Sequence, residues 1–295
     1  MAARMAEWDD HRVPSPVIEI SGLVKTHRGR SVLRGIDLRV DAGESVAVLG
    51  PDGAGKSTAV EICAGFRRPD HGEVRVLGAQ PARAGREWRA RVGYVAQRSD
   101  DLADLTVNEA ITTIGSYFPR ARPAAELIDA AGLSAVRSVR CGRLPRVQRR
   151  RLDVALGLVG RPELVLLDEP TIGFEEEARR EFWSLLRELR HDGSTIVLTT
   201  RYVDEAEYLG DRIAVLAAGQ IVDVGPPATL GGRGDAGVTV RWFGPHGERA
   251  RQTTEPTRFI SELSAQFAGE IPGLVVERPS LRDVYSRMIE QASLR

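Results

Sequence analysis

Residues 50–58 of this 295-residue chain read Gly50-Pro51-Asp52-Gly53-Ala54-Gly55-Lys56-Ser57-Thr58, with the spacing G-x-x-x-x-G-K-[ST]. The chemistry open to such a run is the gripping of a nucleoside triphosphate. Gly50, Gly53 and Gly55 permit backbone angles that a side chain forbids, so loop N–H groups can converge on phosphate oxygens. Lys56 adds positive charge, Ser57 offers a hydroxyl to a magnesium ion, and a helix starting beside it aims its positive end at the same anion. Lysine occurs only at Lys25 and Lys56, with arginine used everywhere else, so the lysine here is not a default choice.

A second group of candidates follows the apolar run Leu164-Val165-Leu166-Leu167. Asp168-Glu169-Pro170 stand where a buried strand reaches the edge of its sheet, the usual place for ligands in open α/β folds. An aspartate there supports a metal, and an adjacent glutamate can orient or polarise an attacking water. Gln97, after Val92-Gly93-Tyr94-Val95-Ala96, can reach the same metal or its water through its side-chain carbonyl. Alone, an acidic pair reads as a solvated turn; the phosphate loop upstream gives it meaning.

These groups need a scaffold. Ser45–Leu49 reads as a strand entering the loop and Thr58–Ile62 as the helix leaving it. Val17–Val24 and Ser31–Val40 alternate like strands, joined by a polar turn at His27-Arg28-Gly29-Arg30. Gly72–Leu77 and Val92–Ala96 are short apolar segments, and the pattern turns helical from about Thr106 to Arg151. Leu164–Leu167 and Thr195–Leu198 suit strands covered on both faces, which implies parallel pairing. Between them Phe182, Leu185, Leu186 and Leu189 form the stripe of a crossing helix. Pro226-Pro227 and the glycine-rich 231–237 read as a linker. Beyond it Val238–Trp242 and Gly273–Val276 suggest strands, and Leu281, Val284, Tyr285, Met288 and Ile289 a helical stripe.

Lys and Arg number 41, as do Asp and Glu, so the formal net charge is zero. That balance argues against nucleic acid as a partner. Cys63 and Cys141 are too few for a disulfide framework or metal cluster and fit a reducing cytosol. No run approaches the roughly 18 apolar residues of a membrane helix, and the N-terminus lacks a signal pattern.

Together, the motifs and their order resemble the nucleotide-binding subunit of ATP-binding-cassette transporters over residues 17–230. The resemblance implies a P-loop NTPase fold of the α/β class: a mixed, mainly parallel core sheet, an N-terminal antiparallel β part and a helical subdomain at about 98–151. It implies ATP and Mg2+ as cofactors, Gln97 as the glutamine loop, and His27 where an aromatic ring stacks on adenine. It also implies a cassette dimer, homo- or heteromeric, a separate transmembrane permease, and a cytoplasmic position on the inner face of the membrane. The segment Pro279–Tyr285 is similar to the C-terminal extension of subunits serving drug and antibiotic exporters. Residues 1–16 then form a leader, 231–237 a linker and 238–295 a small α+β accessory domain.

Departures from the family pattern bear on turnover. The signature Leu-Ser-Gly-Gly-Gln becomes Leu144-Pro145-Arg146-Val147-Gln148, in which Pro145 has no N–H and Val147 puts a branched side chain where a phosphate must approach. Arg146 can supply compensating charge, while Arg149–Arg151 read as solvating a helix. The switch histidine is replaced by Arg201, which can hold a γ-phosphate but cannot exchange a proton near neutral pH. Glu175 stands where an aspartate is expected. Slow ATP hydrolysis with retained ATP binding follows; the competing expectation is a non-hydrolysing regulatory or assembly subunit.

Overall fold

The computed structural model describes residues 16–97, 102–189, 193–234, 237–267 and 269–293. Residues 1–15 of the expected leader, residues 98–101 of the helical stretch and residues 235–236 of the linker lie outside them. Pro16 already belongs to a strand.

The N-terminal hairpin pairs β1 (Pro16–His27) with β2 (Arg30–Asp41). Arg28 and Gly29 both take left-handed angles (φ 48 and 77), which is what a two-residue hairpin turn requires. Next come β3 (Ser45–Leu49), α1 (Lys56–Cys63), β4 (His71–Val76), α2 (Arg86–Ala90) and β5 (Val92–Val95). The stretch read as helical from about Thr106 to Arg151 divides into α3 (Val107–Gly115), α4 (Ala124–Ala130) and α5 (Arg146–Leu158). Proline accounts for two of the breaks: Pro123 and Pro145 each stand as the residue before a helix begins, because proline lacks the N–H a helix interior needs. The last helix also runs past Arg151 to Leu158.

The core continues with β6 (Leu164–Asp168), α6 (Glu176–Leu189), β7 (Thr195–Thr200), α7 (Val203–Leu209), β8 (Arg212–Ala217) and β9 (Gln220–Gly225). Six strands form one sheet in the order β5-β6-β7-β3-β8-β9, parallel throughout except for β8–β9. A separate antiparallel sheet, β2-β1-β4, lies to one side. All residues of β3, β6 and β7 are buried, and alternation sorts them between two apolar cores. Ala47, Leu49, Val165, Leu167 and Leu198 join the helical core. Val46, Val48, Leu164, Leu166 and Val197 join the core shared with α1 and the antiparallel sheet.

The C-terminal part holds β10 (Val238–Gly244), β11 (Gly247–Thr253), α8 (Pro256–Ser264), β12 (Val275–Glu277) and α9 (Leu281–Ser293). Its small sheet and α8 share a core of Val238, Val240, Trp242, Phe259 and Leu263. Helix α9, read from sequence as part of the accessory domain, packs elsewhere. Leu281 is buried in the helical core, with Tyr285, Met288 and Ile289 against it. Ser280 and Asp283 exchange side-chain and backbone hydrogen bonds at its start, the reciprocal cap that fixes where a helix begins. Arg282 meets Asp204 of α7 at 2.9 Å, and Arg233 joins Glu207 of α7 to the Pro279 carbonyl.

Because Leu281 is 1% exposed, Leu281→Ala is expected to destabilise the core cassette by about 2–5 kcal/mol. Denaturant unfolding followed by tryptophan fluorescence checks this; a loss confined to the small C-terminal sheet would contradict the packing.

Candidate functional site

Strand register brings the candidate groups to one edge. Leu49 lies opposite Thr200 and Asp168 opposite Thr199. The loop 50–58, the Asp168-Glu169 pair and Arg201 therefore leave the carboxyl ends of three adjacent strands, where open α/β sheets bind ligands.

The phosphate loop folds as its glycines dictate, with one correction. Gly53 (φ 79) and Gly55 (φ 106) are left-handed, whereas Gly50 is not. Gly50 is needed for space instead, since a Cβ there would collide with the Leu216 carbonyl. A Cβ on Gly55 would sit 2.7 Å from Leu33 Cδ2 and 3.0 Å from the Val32 carbonyl, so β2 walls the loop. His27 closes β1 opposite Arg30, at the exposed turn of the hairpin that supplies this wall. Ala54 is buried and donates its N–H to the Pro51 carbonyl at 3.2 Å. Thr58 lies within the first turn of α1.

Lys56 is the most constrained charge here, with its side chain 4% exposed. Its ammonium donates to the carbonyls of Gly50 (2.9 Å) and Pro51 (3.1 Å) and pairs with Glu169 Oε1 at 3.0 Å. Its three protons are thus all engaged. Glu169, 8% exposed, carries a left-handed backbone (φ 43), a strained state for a residue with a side chain, costing on the order of 1 kcal/mol. Its N–H donates to Thr199 Oγ1 at 2.9 Å, and Gln97 Nε2 donates to its Oε2 at 3.2 Å. Gln97 therefore reaches the glutamate through its amide nitrogen; the carbonyl is the atom it would offer a metal.

Asp168 Oδ1 accepts from Thr199 Oγ1 (2.6 Å) and Ser57 Oγ (3.0 Å). Burial pushes its carboxyl above the usual aspartate range, against the two hydroxyl bonds that favour the charged form. Because Ser57 gives its proton to Asp168, its lone pairs are left for a cation. A hydroxyl and a carboxylate are hard oxygen donors that suit Mg2+. Among the described residues there is no cluster of three or more His, Cys, Asp or Glu that could hold a metal ion.

Arg201, placed from sequence to face a terminal phosphate, gives Nη1 to Asp52 Oδ2 of the phosphate loop at 2.8 Å and Nη2 to the Tyr202 hydroxyl at 3.3 Å. The segment 144–148, read from sequence as the signature, leads into α5. Pro145 precedes its first turn without a side-chain cap, Leu144 and Val147 pack against the helical core, and Gln148 has a buried Oε1 that accepts no hydrogen bond among the described residues. Arg146 lays its guanidinium over Gly173, where any Cβ would collide with it. Glu175 lies exposed in the same loop.

The expectation that Arg149–Arg151 solvate a helix is corrected at Arg150. Its guanidinium is buried and donates to the carbonyls of Pro170 (2.9 Å), Asp168 (2.9 Å) and Ala96. It thereby ties the segment before Gln97 to the acidic pair. Its place one turn before Val154 and two before Leu158, on the buried stripe of α5, was the available signal. Arg149 is also committed, to Asp153 at 3.0 Å. Sequence reading equally missed Glu205, which is 1% exposed. It accepts from Thr171 Oγ1 (2.7 Å) and Trp183 Nε1 (2.9 Å); burial raises its pKa while those bonds and one from Thr200 lower it.

The profile of the family described as ABC transporter matches residues 33–172. The chain is 40% identical over 222 residues to the daunorubicin/doxorubicin resistance ATP-binding protein DrrA of Streptomyces peucetius, spanning 74% of this chain and 67% of that one. It is 35% identical to the Nod factor export ATP-binding protein I of Neorhizobium galegae, over 93% of this chain and 85% of that one. A bacterial ABC transporter cassette solved as a dimer superposes with a TM-score of 0.64 at 25% identity, over 71% of this chain and 98% of that one. A cassette dimer with ADP and Pi, in a post-hydrolysis state, matches with the same TM-score and coverage at 24% identity.

Arg150→Met is expected to cost about 3–5 kcal/mol, because three carbonyls lose their donor and Asp153 loses an ion-pair partner at 3.8 Å, and Arg150→Lys to recover little since an ammonium cannot span them. Denaturant titration checks both. For Glu205, a raised folded pKa means its stabilising contribution is fully present below the unfolded carboxylate value and is lost as pH rises through the folded one. Glu205→Gln should therefore gain on the wild type as pH rises from acid to neutral in thermal melts; a variant equally impaired at every pH would contradict this.

Proposed function

The chain belongs to the ABC transporter family as one of its ATP-binding cassettes, a family of ATPases, and on that premise we propose that it energises export through a separate membrane permease. The export reading draws on the relatives named for drug resistance and Nod factor export. No described helix is long and apolar enough to cross a membrane; in this reading a separate permease supplies the translocation path, and the chain sits against it on the cytoplasmic side. ATP binds at the interface of a cassette dimer, in keeping with the dimeric solved cassettes.

The single observation that carries the reading is the Lys56–Glu169 pair beside Asp168. The loop amides of residues 52–57 and Lys56 take the phosphates, and His27 borders the base. Lys56 has no spare proton, so a phosphate oxygen must take the place of Glu169 on it. The displaced carboxylate is then free to orient a water for in-line attack, held by Gln97 and by the Thr199 hydroxyl on its own N–H. Ser57 and Asp168 would hold Mg2+, with Gln97 nearby. When bound, the ion neutralises charge developing on the phosphates.

Hydrolysis is slow. In a dimer each site draws its signature from the other subunit, and this chain offers Pro145 without an N–H and Val147 anchored in its own core. Loss of one preorganised contact costs about 10²- to 10³-fold in turnover, whereas ground-state binding rests on the intact loop. The same two residues favour a second reading, a nucleotide-binding regulatory or assembly subunit with negligible hydrolysis.

Calorimetry should detect Mg2+-dependent ATP binding by the wild type and its loss in Lys56→Ala. Glu169→Gln should bind ATP more tightly, because Lys56 is released from a charge pair, and lower phosphate release by about 10²- to 10⁴-fold. Phosphate release unchanged from a near-background wild type would favour the second reading.

A further inference from the structure

Asp52 places a carboxylate inside the loop that must receive a triphosphate. It lies between Pro51, whose carbonyl holds Lys56, and the left-handed Gly53, and its side chain is 69% exposed. Unopposed, this charge would repel the anion the loop is shaped to bind. Arg201 meets it at 2.8 Å, and the arginine is not a free surface arm. Its Nη2 donates to the Tyr202 hydroxyl, and its guanidinium stands 5.2 Å from the centre of the Tyr202 ring. That ring is itself fixed, with the Arg179 guanidinium 4.0 Å from its centre and the Tyr202 N–H bonded to Thr200 Oγ1 at 2.9 Å. A third element borders the pair: burial, and with it the Asp52 charge, pushes the Tyr285 phenol of α9 up to about 12.

The geometry points to Arg201 as a positioning residue that acts through Asp52: it cancels the loop's own negative charge at the phosphate mouth, so that the two side chains work as one unit. This rests on the ATP-binding reading above and replaces the expectation that Arg201 touches the terminal phosphate. A direct γ-phosphate ligand would serve ATP and not ADP. A residue that holds the Asp52 carboxylate on itself and away from the phosphates serves every phosphate chain in the loop, and that part of its value is lost when Asp52 is neutral, leaving only its own screened attraction for the anion. A unit charge a few ångströms from a multiply charged anion at a surface changes its affinity by on the order of tenfold, and salt screens the effect.

The test is a double-substitution cycle on the full chain, with MgATP and MgADP binding measured by calorimetry at low and high salt. Both side chains are substantially exposed, and thermal melts of each variant establish that it folds. Arg201→Ala is expected to weaken MgATP and MgADP alike, by about tenfold at low salt and less at high salt. Asp52→Asn is expected to bind both at least as tightly as the wild type, and Arg201→Ala in that background to weaken both by clearly less than it does in the wild type, the difference being the coupling between the two side chains. Weakening equal in both backgrounds would overturn the inference, in favour of a γ-phosphate ligand where it is confined to MgATP and of an independent surface charge where both nucleotides share it, and no weakening in either background would overturn it too. A wild-type chain that binds no MgATP would overturn the ATP-binding reading itself and this inference with it.

Discussion

A buried ammonium must be fully satisfied or it destabilises the fold that buries it, and Lys56 shows how much of the molecule that requirement organises. Two of its protons go to loop carbonyls and the third to Glu169. The loop must therefore curl so that Gly50 and Pro51 turn their carbonyls inward, and β6 must end so that Glu169 can reach across from it. The reach needs a left-handed backbone at Glu169, held by a hydrogen bond from its own N–H to Thr199 on the adjacent strand. In the reading proposed above, stability and chemistry meet in one contact: the partner that makes Lys56 tolerable in the core is the carboxylate that would let go of it for phosphate.

Around this contact the acidic pair is tied to the rest of the chain by groups that never face solvent. Arg150 collects carbonyls from Ala96, Asp168 and Pro170, so helix α5 is joined to both the segment before Gln97 and the start of the loop after β6. Glu205 draws together Thr171 and Trp183 from the helix that follows the switch position. These links are rigid and few, the kind of contiguous network through which a change at one element can bias another. Helix α9 joins the C-terminal segment to the cassette chiefly through buried Leu281, its Arg282–Asp204 pair being exposed to solvent.

The parts of this arrangement legible in the sequence are those with local signatures. The loop glycines, the apolar runs that became β3, β6 and β7, and the stripe of α6 announce themselves over a few neighbouring residues. The hairpin turn at Arg28-Gly29 does the same. Strand β11 was not legible because its residues 247–252 are all exposed, so no alternation marks it; only pairing with β10 makes it a strand. Strands β8 and β9 are absent from the sequence reading: residues 213–217 form an apolar run, but β9 has no buried residue and becomes a strand only by pairing with β8. Partners set by register across the sheet were invisible as well. Nothing local to Asp52 announces Arg201, far along the chain, or Tyr285 beyond it. Arg150 misled for a further reason: in a run of three arginines the helical phase, not the composition, decides which one is buried.

The account turns on the exchange of Glu169 for phosphate on the Lys56 ammonium. A crystal structure of the chain with Mg2+ and a non-hydrolysable ATP analogue tests it most directly. The expected result has Lys56 Nζ still on the Gly50 and Pro51 carbonyls, its third proton on a phosphate oxygen, and Glu169 turned away from it. A bound analogue with the Lys56–Glu169 pair intact at its present 3.0 Å would contradict the account.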